Sequence, residues 1–357
     1  MKQIFILGRN PDLSREEILS YSRARSLNPK EVLFEENFLI IEIDKEIDIQ
    51  HLGGTIFSGN VLSEGGEENI EEYIFREDLY DSDKFKYGVF GNSDEDVLKE
   101  KFKSEKRKAV LKHGRRGMKS QGGERLEIPN ADVQFFLAEK EGIFYFGILN
   151  KEYDYNGVKK RDMEKPVRRE ELAISPRLSK ILINLSGARE DDLMLDPFCG
   201  IGGILIEALV QDIKVYGVDK DAKAIKGALE NMKWLKQNFQ IKKPYIVERW
   251  DAKKVPNKQF DAIATETPLG KVVRRKPNRR EAEGIINGFE GVMVPILKHL
   301  KNVKKKEARI AITFPKIGDI GVDYSRIEED TELKVVVGPI LERREDQFIG
   351  RDIVVFE

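Results

Sequence analysis

The sequence predicts an α/β protein: a Rossmann-like, doubly wound and mostly parallel C-terminal sheet with a terminal antiparallel hairpin, behind an N-terminal α+β region. Three observations predict it. Strand-like and helix-like stretches alternate from about residue 172 onward. A glycine-rich turn at 200–203 follows a short apolar strand and opens an apolar helix. The last two strand-like stretches, 333–341 and 351–357, are separated by a charged turn and no helix.

The N-terminal elements come first. Residues 3–7 are a short apolar run, read as a strand. A helix follows, with Ser14 as N-cap and Glu17 three residues later, stopping near Asn28-Pro29. Residues 38–43 are the next strand, and HLGGTIFSGN (51–60) pairs a Gly-Gly turn with a β-branched stretch. Residues 86–91 and 143–149 read as further strands, with a lysine-dense helical stretch, 94–113, between them. Residues 151–171 are polar, carry a Gly and a Pro, and read as a linker.

After the linker the alternation is regular. Ser175-Pro176 opens a helix to about Leu185, with Pro in its first turn. Strand 193–196 leads to helix 203–210, and strand 215–219 to helix 221–238. Strands 245–249 and 261–265 follow with no clear helix between them. A helix over 281–299 leads to strand 308–314 and then to the terminal hairpin.

Composition bounds the class. The 357 residues suggest two or three domains, and 40% apolar residues suffice for real cores. Net charge is only -1, so attraction to nucleic acid has to come from local clustering. The first residues lack a signal-peptide h-region, and no apolar run approaches a membrane span, so no membrane association is expected. A single cysteine, Cys199, excludes an internal disulfide and a cysteine-based zinc cluster; no metal-ligand spacing exists, and no metal is expected. A cytoplasmic protein is the expectation.

The strongest motif is LMLDPFCGIGGILIEA, residues 193–208. Gly200, Gly202 and Gly203 allow a sharp turn and close approach to a ligand at the carboxyl end of a strand. The spacing is not the dinucleotide G-x-G-x-x-G. Asp196 at the strand end repels a pyrophosphate but suits a cation, such as the methionyl ammonium of S-adenosylmethionine. Asp219 ends the next strand, where a carboxylate accepts from ribose hydroxyls. Asp251, beside Trp250 and Ala252, is placed to accept from an adenine amino group. For any one of these acids the bland alternative is a helix N-cap; three at successive strand ends, with the glycines, fit an adenosine ligand with a positive tail. Phe198, Cys199 and Lys220 complete the expected cofactor contacts. Cys199 also invites a covalent reading, but a small buried residue packing the loop is favoured.

DPFCGIGGILIEA resembles the first methyltransferase motif of the tRNA guanosine-10 N2-methyltransferase family. RDMEKPVRREELAISPRLSKILINLSG (161–187) is similar to the segment that precedes it there, and HLGGTIF (51–57) resembles the opening of a THUMP domain. The resemblance implies a class I methyltransferase sheet at 172–357, a linker at 151–171, a THUMP RNA-binding domain at 51–150, and a ferredoxin-like part at 1–50. It implies S-adenosylmethionine as cofactor and structured RNA, tRNA above all, as partner.

The acceptor loop departs from that family. Amino-group methyltransferases carry D/N/S-P-P-Y/F/W after strand four; here the stretch is ATETPLG. Glu266 falls where the acid belongs, Thr267 replaces a Pro, Pro268 is kept, and Leu269 replaces the aromatic. The expected catalytic set is Glu266, Pro268 and Leu269. Base–aromatic stacking is worth about 1–3 kcal/mol, so Leu269 implies weaker base binding unless another aromatic, such as Phe198 or Trp250, substitutes. Three readings stand: guanine N2 methylation with a variant loop, methylation of another position or RNA, or RNA binding without chemistry.

The basic segment 99–119 holds ten Lys or Arg and two Glu. Lys106, Arg107, Lys108, Lys112, Arg115, Arg116 and Lys119 are the expected phosphate contacts, and a solvated helix face is the alternative. A second cluster, which includes Arg274 and Arg275, follows the acceptor loop, and Lys159, Lys160, Arg161, Lys165, Arg168 and Arg169 in the linker are further candidates.

Overall fold

The computed structural model describes residues 1–113, 129–169, 174–268, 275–343 and 347–357. The chain divides into two compact units. Met1–Arg15, Leu27–Gln50 and Gly54–Tyr153 form the first; Glu16–Ser26, His51–Gly53 and Asp154–Glu357 form the second.

The first unit is built on β1 (Lys2–Leu7), the start of α1 (Pro11–Ala24), β2 (Lys30–Glu35), β3 (Phe38–Glu42), β4 (Thr55–Gly65), α2 (Glu67–Arg76), β5 (Lys84–Phe90), α3 (Asp96–Ser104), β6 (Lys108–Leu111), β7 (Val133–Lys140) and β8 (Ile143–Glu152). Its strands form one eight-stranded sheet in the order β2-β3-β1-β4-β8-β7-β5-β6. The sheet takes strands from both sides of residue 50. Strand β7 shows why the sheet is central. Val133, Phe135 and Leu137 join a cluster that includes Ile70 and Ile74 of α2 and Leu98 and Phe102 of α3. Alternate residues Phe136 and Ala138 join a second cluster with Ile4, Ile6, Phe38 and Ile40. The period of two thus buries both faces.

Two local expectations are corrected here. Ser14 does not cap α1: the helix starts at Pro11, and the Ser14 hydroxyl donates to the carbonyls of Asn10 (2.8 Å) and Gly54 (3.0 Å). Nor does Glu17 close a capping box, because its carboxylate accepts from Gly53 N–H (2.6 Å) and Asn184 Nδ2 (2.7 Å). The lysine-dense stretch is not one helix. Helix α3 stops at Ser104, Lys106 turns with φ +58°, and β6 then pairs in parallel with β5. The β-branched and apolar run Ala109–Val110–Leu111 extends the sheet edge and overrides the charge-rich helical pattern.

The second unit holds α4 (Tyr155–Met163), α5 (Pro176–Leu185), β9 (Leu193–Asp196), α6 (Gly203–Val210), β10 (Lys214–Asp219), α7 (Ala222–Asn238), β11 (Tyr245–Arg249), β12 (Ala262–Thr265), α8 (Arg279–Val303), β13 (Ile310–Lys316), α9 (Tyr324–Thr331), β14 (Val335–Glu342) and β15 (Gly350–Phe356). The stretch read as linker is therefore partly helical in α4. The seven strands run in the order β11-β10-β9-β12-β13-β15-β14. All pairs are parallel except β13–β15 and β14–β15, the expected terminal hairpin. Helices α8 and α9 bury Ile286, Met293, Leu297, Leu300 and Ile327 against strand residues Leu195, Val218, Ile263 and Ile312. Helices α5, α6 and α7 pack on strands of the same sheet and on one another. With β9 inside the sheet and the order reversing beside it, the carboxyl ends of β9, β10, β11 and β12 form the switch-point edge where such sheets place ligands.

Candidate active site at the carboxyl ends of the sheet

Residues Leu193–Asp196 are all apolar until the last, so β9 is buried and delivers Asp196 to the end of the sheet with 1% of its surface exposed. Asp196 Oδ1 accepts from Phe198 N–H (3.1 Å) and from Thr265 Oγ1 (2.5 Å). Burial pushes the Asp196 carboxyl up to about 7, against the pull of those two bonds and with help from the negative charges of Asp219 and Glu266.

The glycines answer distinct needs. Gly200 sits at φ +52°, and a Cβ there would meet nothing within 4 Å: the loop turns its bare backbone to open space. Gly202 caps α6 at φ +88°, and a Cβ would come within 2.9 Å of Met232 Cε. Gly203 begins the helix, with Ile174 3.2 Å from a notional Cβ. Gly217, inside β10, was not singled out from sequence, although a glycine in a strand interior signals close approach. A Cβ there would lie 2.5 Å from Leu205 Cδ1 and 3.2 Å from Cys199 Sγ.

Asp219 ties the loop to β10. Its Oδ2 accepts from Gly200 N–H (3.0 Å) and its Oδ1 from Asp221 N–H (2.8 Å). Cys199 is 4% exposed, and burial with the Asp196 and Asp219 charges pushes its thiol far up, so it stays protonated and packs the loop. Its N–H donates to Val218 O (2.9 Å). Asn231 of α7, also absent from the sequence reading, donates through Nδ2 to Ile201 O (2.9 Å) and Val167 O (3.0 Å) and secures the far end of the loop. Phe198 is half-buried against the α8-side core.

Asp251 is exposed and caps the short 3-10 turn Ala252–Lys254, accepting from Lys253 N–H at 2.9 Å. The capping alternative is thus realised, with Oδ1 engaged. Ala252 is buried, and Lys220 is exposed with its carbonyl accepting from Arg249 Nε (3.0 Å).

The acceptor loop leaves β12 beside β9, since Ile263 pairs with Leu195. Thr265 donates to Asp196, as above. Thr267 is 2% exposed; its Oγ1 donates to Thr313 O (2.7 Å) and its N–H to Thr313 Oγ1 (3.2 Å). A proline at 267 would lack that N–H. Between these two anchors Glu266 projects to Arg351 of β15, Nε to Oε1 at 2.5 Å. Pro268 is exposed; Leu269 lies outside the described residues. The structure therefore brings Asp196, Gly200, Gly202, Asp219 and Glu266 to one edge of the sheet.

Among the expected phosphate contacts, Lys106 and Lys108 are exposed and Lys112 is half-buried. Arg107 is engaged within its own unit: Nη2 donates to Asp78 Oδ1 at 2.8 Å and Nη1 to Tyr80 O. Arg115, Arg116, Lys119 and Arg274 lie outside the described residues. Arg275 grips Glu281 with both Nη groups, and Glu281 in turn closes the capping box of Asn278 on α8. Two linker residues are not surface contacts at all. Arg161 is 8% exposed and bidentate with buried Glu207 (2.9 Å each), and Lys165 is 7% exposed and paired with Asp162. Among the described residues no group of His, Cys, Asp or Glu is placed to hold a metal, and no helix is long and apolar enough to cross a membrane.

Residues 166–283 match the model of the RMKL-like methyltransferase domain family. A tRNA (guanine(10)-N2)-dimethyltransferase of Pyrococcus abyssi is 31% identical over 196 residues, 53% of this chain and 52% of that one. A probable tRNA (guanine(10)-N2)-dimethyltransferase of Methanothermococcus thermolithotrophicus is 34% identical over 113 residues, 29% of this chain and 67% of that one. The chain thus spans about half the length of the first relative and two thirds of the second. The crystal structure of TrmN from Thermus thermophilus shares the fold, with TM-score 0.52 at 14% identity, covering 100% of this chain and 99% of that one. On the strand-end acids, the glycine loop and these matches, the chain belongs to the family of S-adenosylmethionine-dependent methyltransferases that includes these relatives.

Proposed function

We propose that the chain methylates the exocyclic N2 of a guanosine in tRNA. The observation that carries this reading is the meeting, at one sheet edge, of a buried acid, a second acid at the end of β10 bonded to a bare glycine loop, and Glu266 after β12. Relatives named tRNA (guanine(10)-N2)-dimethyltransferase support the substrate class.

The site fits the cofactor. Open space above Gly200 admits a ligand against backbone, and the desolvated Asp196 carboxyl is suited to a cationic amino group. Asp196 and the glycines would hold the methionyl end, Asp219 the ribose hydroxyls, and the Oδ2 of Asp251 that its cap leaves over, the adenine amine. S-adenosylmethionine supplies an electrophilic methyl group. The chain's own task is then mostly positioning. The guanine amine is a poor nucleophile because its lone pair is delocalised into the ring. Glu266 would accept one N–H of that amine, which orients the lone pair, and would take the proton released as the N–C bond forms and the sulfonium–methyl bond breaks, with S-adenosylhomocysteine leaving. Pro268 and Leu269 would line the base. The base must leave its stack to reach such a site.

Residues 51–150 are proposed as the THUMP-type module that docks tRNA, through Lys106, Lys108, Lys112 and the basic residues that follow, with 1–50 as a ferredoxin-like part. The cytoplasm is its proposed compartment.

Incubation with methyl-labelled S-adenosylmethionine and tRNA, followed by nucleoside analysis, tests the reading. N2-methylated guanosine is expected. A different methylated nucleoside would move the assignment to another position, and RNA binding with no methyl incorporated would replace enzyme by binding protein.

A further inference from the structure

Glu266 lies on a backbone clamped on both sides. Thr265 reaches Asp196 on β9, and Thr267 is bonded twice to Thr313 on β13. The clamp fixes the main chain but not the side chain, which has one more rotatable bond than the aspartate of the D-P-P-Y pattern. What fixes the side chain comes from 85 residues away. The strand order places β15 beside β13, and β13 beside β12, so Arg351 at the start of β15 reaches back to the loop after β12. Arg351 Nε donates to Glu266 Oε1 at 2.5 Å, and Arg351 Nη1 donates to Gln347 Oε1 at 3.0 Å. Both side chains of the pair are mostly shielded, at 14% and 13% exposure, so solvent screens the contact little. Oε1 carries the bond to Arg351; Oε2 carries none among the described residues.

We propose that Arg351 is a positioning residue for methyl transfer: it holds Glu266 by one carboxylate oxygen and so presents the other to the acceptor amine. The inference rests on the guanine-amine reading above. Arg351 touches neither cofactor nor base; it acts through Glu266. The guanidinium orders the carboxylate, and ordering favours transfer because the sulfonium is already reactive and the enzyme's contribution is geometric.

The test uses the full chain, labelled S-adenosylmethionine and tRNA, with R351Q, R351K, E266Q and the E266Q/R351Q double variant. R351Q should lower kcat about 100-fold, the scale of a misplaced reacting group. Its affinity for S-adenosylhomocysteine should match the wild type, because the cofactor contacts lie on β9, β10 and β11. R351K keeps the charge without the planar guanidinium and should recover part of the loss. The double variant should be no slower than E266Q, as expected for two residues acting as a unit. A kcat for R351Q equal to or above the wild type, or a double variant that multiplies the two single losses, would overturn the proposal. If R351Q unfolds, R351K carries the test: a wild-type kcat there overturns it as well. A wild type that methylates no tRNA sinks the functional reading and this inference together; an active wild type with an indifferent R351Q sinks this inference alone.

Discussion

Asp196 makes two opposite pH predictions. Its carboxyl is raised in the folded chain to about 7, while an unfolded aspartate titrates near about 4. Between those values the folded state holds a proton that the unfolded state has lost, so this group's contribution to stability is fully present below about pH 4, falls as pH rises toward about 7, and is level above. The difference in unfolding free energy between wild type and D196N should therefore decline across that window; a constant difference would refute the assignment. Cofactor binding has the other sign. The proposed contact of the cationic methionyl amino group with Asp196 favours the ionised carboxylate, so affinity for S-adenosylhomocysteine should rise with pH through about 7, and D196N should flatten that rise. Asp219 gives a third test. D219A removes the acceptor for Gly200 N–H along with the proposed ribose contact, and hydrogen bonds to charged groups are worth about 1.5–3 kcal/mol. Cofactor affinity should fall at least about tenfold; wild-type affinity would move the ribose site elsewhere. Asp219 was legible because it ends a strand a fixed distance beyond the glycines. Arg351 was not, because nothing local to Glu266 announces a partner two strands away.

Elements with strong local signals were readable in the sequence. Helix α6 and strand β11 fall at 203–210 and 245–249, the spans their composition indicates. Gly, Pro and capping residues bound them. Helices α2 and α9 and strands β2, β6 and β7 were missed, for different reasons. Strand β2 reads KEVLFE, half charged, and is held by pairing with β3. Strand β6 lies in a lysine run whose charge count resembles a solvated helix, and its pairing with β5 decides its conformation. Helix α9 is short and charged, and Asp323 caps it while Ile327 anchors it to the core. Packing between β10 and α6 is where an element-scale prediction bites. In G217A the new methyl would sit 2.5 Å from Leu205 Cδ1 and 3.1 Å from Cys199 Cβ. Leu205 is fully buried and has little room to move. Overpacking of this kind costs about 1–3 kcal/mol, to be read as a lower denaturant midpoint at unchanged slope. Because Cys199 belongs to the glycine loop, cofactor affinity should drop too. An unaltered midpoint would mean the strand and helix are less closely fitted than their geometry implies.

At the scale of the whole molecule, a net charge of -1 gives no long-range pull on a polyanion, so the proposed tRNA contact has to be local. The first unit offers one such place. A concavity of about 600 Å³ beside β6 is lined by Lys99, Lys103, Lys106 and Arg107 along with Ala109, Val110 and Leu111. These cations are not equivalent. Arg107 ties the turn after α3 to Asp78 and Tyr80, and Lys99 pairs with Asp96 at 2.6 Å. Lys106 in that lining, and Lys108 beside it at the start of β6, are exposed, with no ion pair among the described residues, and are the proposed phosphate contacts. The distinction separates two outcomes in one experiment. In the K106A/K108A double variant, tRNA affinity should fall, and the slope of log K against log salt should lose about 0.9 for each phosphate contact removed from a duplex region, about 2 in all. Its thermal stability should stay close to the wild type, because surface substitutions of this kind move stability by no more than about 0.5 kcal/mol. R107A should do the reverse in emphasis, lowering stability through the lost contacts to Asp78 and Tyr80 whatever it does to RNA. If the double variant keeps the wild-type salt slope, this face of the first unit does not meet the phosphate backbone.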